Sequence, residues 1–231
     1  MSLDVYVGPL ARYYGGDWEN VGSSGSASGP KTGPKTGHRP AGRDRIRQTV
    51  IAWRDTLGAS LGNTVPVPFD WDETEAAPYF VGRPGWDGFG SLVLWAAYVE
   101  HPVFCPPAAL PEEWDNDPAL VRSNVEGFRS RYSHLVRNVE LWLPAAFDFT
   151  FESDSVDRRR VVMGSSATLA RQLAELNAAT WKAKPAEIAT WGRRVPDDNA
   201  PLQLRARHAF AVIADLAAKA LEHRLPMKLD F

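Results

Sequence analysis

Two runs, Asp70-Trp71-Asp72-Glu73 and Glu112-Glu113-Trp114-Asp115, are the densest groupings of chemically active side chains in this 231-residue sequence. Both fall in proline-rich connections, and binding residues concentrate on loops held by a rigid scaffold. A large indole beside carboxylates fills a pocket on another protein while the charges steer a basic partner toward it. Carboxylates crowded in loops also suit a divalent cation. Neither run has the central glycine and terminal glutamate of a calcium loop, so no metal and no cofactor is assigned. A separate pair, Glu100-His101, closes an apolar run. A helix C-terminus and an adjacent carboxylate both favour a protonated imidazole, which makes Glu100 and His101 the fallback acid/base pair.

Other catalytic signatures fail on inspection. No H-E-x-x-H is present, and no G-x-S-x-G elbow. Gly29–Thr36 imitates a phosphate loop, but Pro34 replaces the glycine before the lysine and offers no backbone N–H. Gly85, Gly88 and Gly90 lack the dinucleotide spacing and follow Arg83-Pro84 rather than a strand. The five histidines, His38, His101, His134, His208 and His223, are too dispersed to suggest one ligand set. The single cysteine, Cys105, excludes an intrachain disulfide, and its proline and apolar neighbours mark it as an inert, buried thiol.

Charge is distributed unevenly. The chain carries 26 basic and 28 acidic residues, a near-balance that argues against a dedicated nucleic-acid binder. Within it, residues 56–121 hold ten acidic side chains and one basic one, Arg83, for a net of −9. The flanks carry +3 over residues 1–55 and +4 over 122–231. Either the acidic third faces a basic partner, or its carboxylates cap helices and pair with the protein's own arginines.

The elements that position these residues are read from apolar spacing. Ile46, Val50, Trp53 and Leu57 predict a helix from Asp44 that Gly58 ends. A buried helix starts near Asp87 and carries Leu92, Trp95 and Val99. Asp117 as cap and Pro118 as first residue open a long third helix bearing Val121, Val125, Phe128, Tyr132, Leu135, Val139 and Trp142, with Gly127 a weak point that allows two shorter helices. Ser165 or Ser166 caps a fourth with Leu169, Leu173 and Leu176, and Pro201 opens a fifth that runs to about His223. Alternation at Leu3-Val5-Val7, Phe147-Phe149-Phe151 and Met227-Leu229-Phe231 predicts short strands. The Gly/Ser/Pro-rich stretch 21–42, with Gly-Pro-Lys-Thr written twice, reads as a flexible loop.

The expected architecture is therefore one globular domain over residues 1–231, mainly α with a small β-sheet (α+β), about five helices and short strands near both termini. With no signal peptide and no apolar run of membrane-spanning length, the chain is expected in the cytoplasm. The expected function is non-enzymatic: a protein-binding, immunity-type or inhibitory protein whose residues 70–73 and 112–115 meet a basic protein partner. Its rivals are a metal-assisted hydrolase or acid/base enzyme built on the loop carboxylates or on Glu100 and His101, and a structural subunit that self-associates.

Overall fold

A six-stranded mixed sheet organises the molecule. The structure, a computed structural model, describes residues 3–18, 40–65, 69–197 and 199–231. The strands are β1 (Asp4–Val7), β2 (Phe80–Gly82), β3 (Val139–Leu143), β4 (Phe151–Asp154), β5 (Arg160–Ser165) and β6 (Met227–Asp230), in the spatial order β2-β1-β6-β3-β5-β4. Only β3 and β5 run parallel; every other neighbouring pair is antiparallel. The chain ends thus lie side by side at mid-sheet, with Val5 opposite Leu229 and Tyr6 opposite Lys228.

Eight helices are described: α1 (Leu10–Tyr14), α2 (Pro40–Leu61), α3 (Trp86–Glu100), α4 (Pro118–Ser123), α5 (Ser133–Val136), α6 (Ser166–Ala179), α7 (Pro185–Arg193) and α8 (Leu202–Glu222). Alternation along the strands sends Val5, Val7, Met227, Leu229 and Trp142 into the larger core, with Leu92 of α3, Leu173 of α6 and Ile213 of α8. Leu141, Leu143, Val161 and Met163 join a second core with Leu10 of α1 and Val50 and Leu57 of α2. Two core clusters, one of them built on α1 and α2, hold the sheet between helices. Among the described residues no helix is long and apolar enough to cross a membrane.

The expected small sheet is corrected: the strands form a six-membered sheet that carries the fold, and β2, β3 and β5 were absent from the sequence reading. The expected helix from Asp117 to Trp142 is corrected with it. Gly127 and Asn138 adopt left-handed φ values of 79° and 52°, which interrupt a right-handed helix. The apolar spacing therefore belongs to separate pieces: Val121 lies in α4, Leu135 in α5, and Val139 and Trp142 in β3. Val121 and Val125 are half exposed rather than buried. Phe147 and Phe149 precede β4 instead of forming it. The helices from Asp44, Asp87, Ser165 and Pro201 correspond to α2, α3, α6 and α8, although α2 runs through Gly58, its expected end, to Leu61. Ser165 caps α6 by accepting the Thr168 N–H at 3.2 Å. Of the expected 21–42 loop, residues 21–39 lie outside the described residues, and Pro40 opens α2.

Candidate functional site

Most of the acidic segment is consumed internally. Asp70 pairs with Arg54 of α2, and Trp71 is buried beneath the same guanidinium, which sits 5.5 Å from its ring. Asp72 accepts the Thr74 N–H at 2.7 Å and closes a turn. Glu73 is buried at 5% exposure, and its two oxygens accept the N–H groups of Leu10 and Ala11 at 3.0 and 2.8 Å. It supplies from 63 residues away the cap that Pro9 cannot give α1. The Trp71 indole N–H donates to it at 2.5 Å. Burial raises its pKa, although all three donors oppose the shift. Glu75 pairs with Arg43 at 3.4 Å, Asp87 with Arg205, and Asp117 caps α4 while accepting the Tyr98 hydroxyl at 2.7 Å.

The 112–115 run is placed differently. Glu112, Glu113 and Asp115 are exposed, and among the described residues none has an ion pair or a side-chain hydrogen bond. Trp114 anchors the run: its indole lies so close to Gly90 of α3 that a β-carbon there would sit 2.7 Å from the ring, which explains glycine at that position. The short helical turn 114–116 packs on α4. In the segments that flank the run in sequence, Val103, Val121 and Val125 are 80%, 51% and 53% exposed, and His101 joins the first segment to the last by packing on Phe104 and Phe128. Cys105 is exposed, which corrects its expected burial.

Glu100 and His101 do come together, with Ser123 and Ser130, which the sequence reading did not find because they lie 23 and 30 residues from Glu100. Ser123 donates to Glu100 at 2.8 Å, so its oxygen is left to accept from His101 Nε2 at 3.0 Å. Glu100 also accepts from Ser130 at 2.9 Å and from the Arg131 N–H at 2.5 Å. In a hydrolytic triad the serine gives its proton to the imidazole. Here the order is reversed, the serine is wholly buried, and the cluster ties the end of α3 to α4 and the 124–132 connection.

A cleft of about 310 Å³ opens between α1, the start of α2 and the 73–75 turn, lined by Arg12, Arg43, Arg47, Asp17, Asp44 and Glu75. Half of these charges engage each other, Arg43 reaching Asp17 at 3.1 Å and Glu75 at 3.4 Å, while Arg12 donates to the Glu75 carbonyl at 2.6 Å and Arg47 and Asp44 have no ion pair among the described residues. Among the described residues no group of three or more histidine, cysteine or carboxylate side chains is placed to hold a metal ion. No family model, curated protein or solved structure matches the chain.

Proposed function

We propose that this is a protein-binding protein, inhibitory or neutralising in kind, that takes a basic protein partner on the face formed by residues 103–126. The observation that carries this reading is the contrast within the acidic segment. Carboxylates at 70, 73, 75, 87, 100 and 117 are engaged by arginines, backbone N–H groups or hydroxyls, whereas Glu112, Glu113 and Asp115 stand exposed without a cation partner among the described residues. Exposed Val103, Val121 and Val125, in the same 103–126 stretch, supply apolar area. Charges at the rim steer association and the apolar centre holds it. Asp70, Trp71, Asp72 and Glu73 are left to a structural role.

The test compares wild type with the triple variant E112K/E113K/D115K as baits in extract of the native host. The expected result is a basic protein retained by wild type, lost from the variant, and bound again when both partners are purified. No difference between the baits, or retention only of further copies of this chain, overturns the proposal.

A further inference from the structure

A second polar cluster lies where α7 packs on α8. Trp181 stacks on Trp95 at 5.9 Å and meets Trp191 and Phe210 edge-on at 5.4 and 5.2 Å. Arg207 of α8 lays its guanidinium over Trp191 and Trp181, 5.2 and 6.0 Å from the ring centres. His208 Nδ1 holds the Trp191 carbonyl at 3.1 Å and fixes α7 in place.

Among the described residues three donors in this cluster lack an acceptor, and one acceptor, His208 Nε2, lacks a donor. Arg207 Nε, Trp95 Nε1 and Trp181 Nε1 are all buried with no hydrogen-bond partner. Buried polar groups are nearly always satisfied, because an unmade bond costs the full desolvation penalty. Arg207 also has no carboxylate partner among the described residues, although it is largely withdrawn from water. In the stretch that carries Trp181 and Trp191, Lys182, Lys184, Arg193 and Arg194 are exposed without an ion pair among the described residues, as are the two carboxylates Glu187 and Asp197. Buried donors without acceptors, beside a guanidinium that has no carboxylate among the described residues, call for an acceptor-bearing ligand.

We propose that the Trp95–Trp181–Trp191–Arg207 cluster is a binding site for a small oxyanion, the phosphate or carboxylate group of an otherwise flat or apolar molecule. The guanidinium offers a planar fork matched to either group, and the indoles supply both N–H donors and an apolar wall. This site takes a ligand of opposite charge to the partner proposed for residues 112–115.

The test follows the tryptophan indole N–H resonances of nitrogen-15-labelled protein during titration with inorganic phosphate and, separately, acetate, against sodium chloride at equal ionic strength. The expected result is a saturable shift of the Trp181 and Trp95 signals with phosphate, with acetate, or with both, and no such shift with chloride. The two arms tell the oxyanions apart. In R207Q the affinity falls on the order of tenfold or more. If R207Q does not fold, W181F serves instead, since it keeps a ring and removes one donor; the Trp95 shift then saturates at higher ligand concentration. Shifts that match chloride, never saturate, or persist unchanged in the folded variant overturn the proposal.

Discussion

Two buried titratable side chains show how single residues set the protein's response to pH. His134 is fully buried between Gly164 and Phe147, and its pKa is pushed down to about 4, first by burial and then by Arg171. Between the ordinary value of 6.5 and about 4, the unfolded chain binds a proton that the folded chain refuses. Stability is therefore complete above 6.5 and is lost as pH falls toward 4, by about 3 kcal/mol for this residue. The expected outcome is that the stability difference between wild type and H134Q, from denaturant unfolding, shrinks or inverts by that amount between neutral pH and pH 4; a pH-independent difference contradicts it. Lys228 is 2% exposed at mid-sheet, its Nζ near the Tyr13 ring and donating to the Leu229 carbonyl at 3.2 Å. Burial lowers its pKa, with Arg159 adding to the effect against Glu140, Asp157 and Asp230. Because the unfolded chain again binds more protons, this lysine costs stability at neutral pH, and the cost is relieved as pH rises toward its ordinary 10.5. K228M is expected to gain about 1 kcal/mol at pH 7 and to lose that gain at alkaline pH. A variant less stable than wild type at pH 7 contradicts this.

At the scale of elements, α1 depends on a side chain far from it in sequence. A five-residue helix is too short to stand alone, and the Glu73 carboxylate satisfies the N–H groups at its start. In E73Q one of the two accepting oxygens becomes an NH2 group, which faces an N–H it cannot accept from. The expected loss is about 2 kcal/mol in chemical unfolding, with partner binding unaffected because residue 73 is buried. Loss of binding without loss of stability contradicts this. The elements legible in the sequence were those with long stripes or clear caps: α2, α3, α6 and α8. Strand β3 was hidden because Val139 and Trp142 continue the spacing of three and four set by Leu135, so periodicity alone assigned them to a helix. Helix α7 was missed because it inserts little more than Ile188 and Trp191. Strand β5 follows an arginine run and lacks strict alternation, since Met163, Gly164 and Ser165 are all buried.

Across the whole molecule, the sequence reveals charge segregation but not how the charges are spent. Asp70 is answered by an arginine 16 residues away and Asp87 by one 118 residues away, pairings that only the fold creates. The acidic third was thus legible as a segment, while its division into internal caps and an exposed remnant at 112–115 was not. The Arg207 cluster was invisible for the same reason, since its tryptophans come from α3, from the connection after α6, and from α7. The near-zero net charge therefore conceals an uneven distribution of charge along the chain.

The association rate of the captured basic partner, measured by stopped flow at rising salt for wild type and for E112K/E113K/D115K, tests the central claim most directly. Exposed charges are screened beyond a Debye length of about 10 Å at 0.1 M salt. The wild-type rate is expected to fall steeply with salt, and the triple variant to be on the order of tenfold or more slower at low salt and nearly salt-independent. A wild-type rate indifferent to salt, or a variant that associates as fast as wild type, contradicts the assignment of residues 112–115 as the partner-binding face.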